Sequence, residues 1–72
     1  MAKKINEERI NKFYDDPREL AWEMRQVDEW VPEWNVQLCR LAGIEEEYAA
    51  ADADTVESVL FKAAEILGVE IV

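Results

Sequence analysis

Apolar positions recur along this chain at helical rather than strand spacing. Leu20, Met24, Val27 and Val31 stand four, three and four residues apart, which places them in one narrow stripe of an α-helix and leaves Trp22 nearly opposite. Trp34, Leu38, Leu41 and Ala42 form a second stripe, and Val56, Val59, Leu60, Ala63, Ile66 and Leu67 a third and wider one. Ile10, Phe13 and Tyr14 cluster on one side of a shorter pattern that predicts a helix over residues 6–14. Residues 44–51 (IEEEYAAA) favour a two-turn helix by alanine and glutamate propensity, with only Ile44, Tyr48 and alanines to anchor it.

Punctuation falls between these patterns rather than inside them. Asp16-Pro17-Arg18-Glu19 offers a capping acid, a proline whose fixed φ suits the first helical position, and a glutamate placed to bond back to the cap. Pro32 biases Val31 away from helical geometry, so the second helix is expected to end near Trp30 and the third to start at Pro32 or Glu33. Asp54-Thr55-Val56-Glu57 repeats the cap-and-glutamate signature before the last helix, and Gly43 and Gly68 stand where C-terminal caps belong. The tail, residues 69–72, alternates and is β-branched; it is expected either to pack as a short extended segment or to pair with another chain.

These patterns predict an all-α fold, a compact array of four to five short helices. A length of 72 residues leaves room for one core and one domain, residues 1–72. Such a core is marginal, because a chain this short buries only about 60% of the surface it exposes when unfolded.

Charge narrows the functional classes. The formal net charge is −9, and residues 1–26 contribute nothing to it, since Glu7, Glu8, Asp15, Asp16, Glu19 and Glu23 are balanced by Lys3, Lys4, Arg9, Lys12, Arg18 and Arg25. Past residue 26 only Arg40 and Lys62 oppose eleven acids, so any basic partner would meet the C-terminal two-thirds. A field of that sign repels phosphate backbones and anionic lipid, which argues against direct nucleic-acid or membrane binding. The single cysteine, Cys39, has no internal disulfide partner, and Lys3, Lys4 and the charges at 7–9 leave no apolar run typical of a secretion signal. The expected setting is a reducing cytoplasm.

Catalytic chemistry finds little to work with. Histidine is absent, which removes the commonest general base and metal ligand, and the lone serine, Ser58, sits opposite an apolar helix face with no base at hand. Cys39 lies off its stripe beside Val36, among acids that would not favour a thiolate, and reads as a small buried hydrophobe. Asp52-Ala53-Asp54 opens like a calcium-binding loop but fails where Val56, Glu57 and Ala63 replace a ligand, the turn glycine and the closing glutamate. No enzyme activity, metal or cofactor is expected.

Binding a protein is the remaining class. Three tryptophans exceed the needs of a small core, and tryptophan is enriched at the energetic centres of interfaces. Trp34, on its stripe, reads as core; Trp30, beside Pro32, as a wedge between the second and third helices; Phe61, off stripe beside Ala64, as part of a widened core. Trp22 either packs against the first helix near Phe13 and Tyr14 or stands exposed as an anchor. The candidate partner-binding residues are Trp22, Glu45, Glu46, Glu47, Tyr48, Asp52 and Asp54, the acids steering a basic protein and an aromatic supplying desolvated area.

The segment Leu41-Ala42-Gly43-Ile44, followed by residues 55–69 ending Ala64-Glu65-Ile66-Leu67-Gly68-Val69, resembles the second half of phage-repressor-type helix-turn-helix domains. Where that family's recognition helix carries Arg, Gln, Ser and Lys, this chain has Glu45-Glu46-Glu47-Tyr48, which implies that DNA reading has been lost. In size and charge the chain also resembles small acidic proteins of phages and other mobile elements, some of which bind and block DNA-binding proteins as antirepressors or as inhibitors of host defence nucleases. The alternative is an assembly module that forms a homodimer, with the charge serving solubility alone.

Overall fold

The computed structural model describes residues 7–72. They form five helices: α1 (Glu7–Asn11), α2 (Pro17–Arg25), α3 (Pro32–Ala42), α4 (Glu45–Ala50) and α5 (Val56–Leu67). The chain is all-α, and no strand occurs among the described residues.

Helix α3 is the hub, packing against each of the other four. It supplies Trp34 and Leu38 from its stripe and Cys39 from beside it, all fully buried. Leu20, Ala21 and Met24 of α2 and Leu60, Ala63 and Ala64 of α5 close over it, and Tyr14, Val31 and Ile71 enter the same core from outside the helices. Helix α4 buries nothing completely; it is held on the surface through half-buried Ile44 and Tyr48.

Local rules account for the ends of α3. Val31 is extended (φ −107°, ψ 109°) ahead of Pro32 at the first helical position. Gly43 adopts φ 77°, a left-handed conformation that glycine enters without steric cost. Its N–H donates to the Arg40 carbonyl and that of Ile44 to the Cys39 carbonyl, a pair of bonds that closes the helix and turns the chain directly into α4. Gly68 (φ 70°) ends α5 with the same pair, from Gly68 and Val69 to Glu65 and Ala64.

Three expectations need correction. The first helix stops at Asn11, so Phe13 and Tyr14 lie beyond it; its expected first residue, Asn6, lies outside the described residues. The second helix ends at Arg25, well short of Trp30. The stripe could not reveal this, because Val31 still reaches the core, but as an extended residue preceding α3. Finally, the cap position of α5 is Thr55, which makes no side-chain cap bond, and the acid that fastens the turn leading into the helix is Asp52 rather than Asp54. Asp52 Oδ1 accepts from the Thr55 N–H at 3.0 Å, the Thr55 hydroxyl accepts from the Asp52 N–H at 3.1 Å, and the Asp52 carbonyl accepts from the Val56 N–H at 2.9 Å. The turn ahead of α5 is thus bonded reciprocally in the pattern of a capping box, with threonine in place of glutamate. At α2 the cap is Asp16, as expected, accepting from the Arg18 N–H at 2.9 Å, while Glu19 makes no return bond.

The tail, residues 69–72, has no regular secondary structure and pairs in no sheet among the described residues. Ile71 is buried in the core, and the Arg25 guanidinium donates to the Glu70 carbonyl.

Candidate functional site

The acidic run on α4 is less bare than its sequence implies. Arg40, one turn before Gly43, points across the α3–α4 turn and grips Glu45 with two bonds, Nε to Oε1 at 3.1 Å and Nη2 to Oε2 at 2.9 Å. The hydrogen bond and charge of Arg40 hold the Glu45 carboxyl below its ordinary range. Lys62 of α5 reaches Glu47 at 2.9 Å. The two cations that follow residue 26 are thus both spent on α4, and of its three glutamates only Glu46 is left without one. Glu45, Glu46 and Glu47 do share one shallow depression with Gly43 and Ile44.

The remaining candidates scatter. Tyr48 is half-buried against the core, so it has less area to offer than expected. Asp52 is engaged by Thr55 and by the Asp54 N–H, bonds that lower its carboxyl pKa and make it an architectural residue as well as a charge. The Asp54 side chain projects outward. Trp22 is 54% exposed on α2, not wedged against Phe13 and Tyr14, and it does not line the depression with the glutamates. Phe13 itself is exposed, and Tyr14 packs edge-on against Trp34 instead, with ring centroids 6.5 Å apart.

Neutralising α4 moves the charge elsewhere. Asp28, Glu29, Glu33, Asp52, Asp54, Glu57, Glu65 and Glu70 are all exposed, and none is in an ion pair among the described residues. Together with Glu46 they make nine carboxylates, which match the net charge of −9.

Sequence reasoning also missed an apolar face. Phe61, expected in the core, is 44% exposed, and Trp30, half-buried between α2 and α3 in the chain, meets it edge-on with ring centroids 6.1 Å apart. Beside this pair a depression of about 340 Å³ opens between the end of α2 and the tail, floored by Met24 and Ile71 and walled by Val27, Trp30 and Val72. Its signal in the sequence was the off-stripe position of Phe61 together with the adjacency of Trp30 to Pro32.

For catalysis the described residues offer little. No group of three or more His, Cys, Asp or Glu side chains is placed to hold a metal ion. Cys39 is buried, and its thiol is pushed up to about 11, first by burial and then by the charges of Glu45 and Glu47. No described helix is long and apolar enough to cross a membrane. Comparison with known proteins returns no matching family model, no matching curated protein and no matching solved structure.

Proposed function

We propose that this domain is a non-enzymatic regulator or inhibitor that binds a basic, nucleic-acid-binding protein through its acidic surface. The observation that carries this reading is the set of nine exposed carboxylates past residue 26, Glu46 among them, that have no cationic partner among the described residues once Arg40 and Lys62 are engaged. Opposite charges on a helical surface stabilise by a few tenths of a kcal/mol per pair and like charges cost similar amounts, so a one-signed surface forgoes stability that mixed charge would supply. Such a surface accelerates association with a basic partner and competes with nucleic acid for it. An antirepressor or an anti-defence protein of a phage or mobile element would work in this way.

The test is capture of binding proteins on the immobilised domain at low salt, followed by salt elution and competition with duplex DNA. Recovery of a basic protein that DNA displaces supports the reading. Recovery only of neutral or acidic proteins, indifferent to salt and DNA, overturns it. A second reading, a homodimer, is favoured by the exposed Phe61, Ile66 and Val72. Sedimentation at micromolar concentration separates the two, since the first expects a monomer.

A further inference from the structure

The depression beside Trp30 has a floor, a wall and a charged rim of one dominant sign. Met24 and Ile71 beneath it are buried, and Val72, 74% exposed, continues the apolar surface outward. On the other side of the tail a second depression shares Ile71 and Val72 and extends the face to Phe61. The rim carries Asp28 and Glu29 on one side and Glu65 and Glu70 on the other. Arg25 is the single cation there, and its guanidinium is turned to the Glu70 carbonyl.

We propose that this face is the docking site for an amphipathic helix of the partner, one whose apolar stripe is flanked by lysine or arginine. The inference rests on the preceding reading of the domain as a binder of basic proteins and assigns the partner's contacting element. An apolar stripe would seat on Trp30, Phe61 and Val72, and the flanking cations would meet four carboxylates that form no ion pair among the described residues.

Charge decides between occupants. A second copy docked on this face through a two-fold axis would bring the same four carboxylates against one another. Anionic lipid and nucleic acid meet the same repulsion. An uncharged apolar molecule would leave the rim unused. The tail is not itself a mobile cover, because Ile71 is buried and Glu70 is tied to Arg25.

The experiment uses the full chain and two synthetic peptides of about 18 residues. One has leucines at helical spacing flanked by lysines, and the other is a scramble of identical composition. Labelled-peptide anisotropy gives affinity, and amide chemical shifts locate the site. The expected result is that the amphipathic peptide binds at least about tenfold more tightly than the scramble and shifts residues 24–30 and 69–72. The double variant Phe61→Ala/Val72→Ala, which leaves every charge in place, should lose about that factor for the amphipathic peptide and nothing for the scramble. Should that variant fold poorly, Val72→Ser alone decides the matter, since Val72 is the most exposed large hydrophobic residue among those described. Equal binding of both peptides would overturn the docking site while leaving the acidic-surface reading intact. Shifts confined to α4, indifference to the alanine pair, absence of binding, or a dimer dissolved by Val72→Ser would each overturn it as well.

Discussion

The indole N–H of Trp34 donates to the backbone carbonyl of Arg9 at 3.1 Å, while the Arg9 guanidinium lies 5.9 Å from the centre of the same Trp34 ring. Two contacts between one pair of residues thus fasten α1 to α3. A helix of five residues has no independent stability, since isolated helices shorter than about 12–15 residues are marginal in water. Gln37 secures the chain that follows: its side-chain oxygen accepts from the Tyr14 N–H at 2.8 Å and its amide donates to the Lys12 carbonyl at 2.9 Å.

The first prediction concerns this fastening. Trp34→Ala should cost about 3–5 kcal/mol, the range for deleting a buried aromatic. Trp34→Phe keeps an apolar ring but no N–H, and should cost about 1–2 kcal/mol while selectively raising hydrogen exchange in α1. Urea denaturation and amide exchange read the two effects. Unchanged protection of α1 in Trp34→Phe would show that the indole bond does not hold the helix.

The second concerns pH. Glu23 accepts from the Tyr14 hydroxyl at 2.8 Å and from the Arg9 guanidinium. Burial alone would push its carboxyl up, but these bonds and the Arg9 and Lys12 charges outweigh burial and leave it below its ordinary 4.5. Glu23 therefore contributes stability above its ordinary pKa that is lost as pH falls through the lowered one, and Glu23→Gln should flatten that acid limb. Tyr14 is pushed from 10.0 up to about 12, chiefly by burial and then by the Glu23 bond and charge. Between pH 10 and 12 the unfolded chain ionises this tyrosine while the folded chain does not, so stability falls with rising pH across that window. Tyr14→Phe should lose about 1–2 kcal/mol at neutral pH, and its deficit against wild type should shrink from pH 10 to 12 in thermal melts. A constant deficit would refute the coupling.

The third separates two neighbouring acids. Asp52→Ala removes the acceptor for three donors at the start of α5 and should lower the melting temperature clearly. Asp54→Ala, at the position the sequence pattern nominated as the cap, should leave it nearly unchanged. The reverse order would restore Asp54 as the cap.

The fourth concerns Trp22. With 54% of its surface exposed, Trp22→Ala should alter stability by less than about 1 kcal/mol, as surface changes usually do. If it anchors the partner, capture should weaken at unchanged melting temperature. A loss of about 3–5 kcal/mol would mean that it is packed after all.

Helices α3 and α5 were legible in the chain because Pro32, Gly43 and Gly68 act on their own φ angles and on carbonyls a few residues away. The end of α2 was not. Val27 and Val31 continue its stripe, and only the route of the chain from α2 into α3 shows that Val31 reaches the core in an extended conformation. The candidate site was less legible still: Arg40 and Glu45 lie five residues apart across a turn, and Lys62 and Glu47 fifteen apart across two helices.

The sequence by itself determined which segments become helical, the all-α class and the sign and location of the net charge along the chain, because propensity, capping and charge are properties of residues and their near neighbours. The docking of α4 and α5 on α3 decided which carboxylates are neutralised and which remain exposed, and the packing of the tail decided that Trp30, Phe61 and Val72 share one apolar face. Ion pairing and burial depend on distances between residues far apart in the chain, and those distances exist only once the helices have packed.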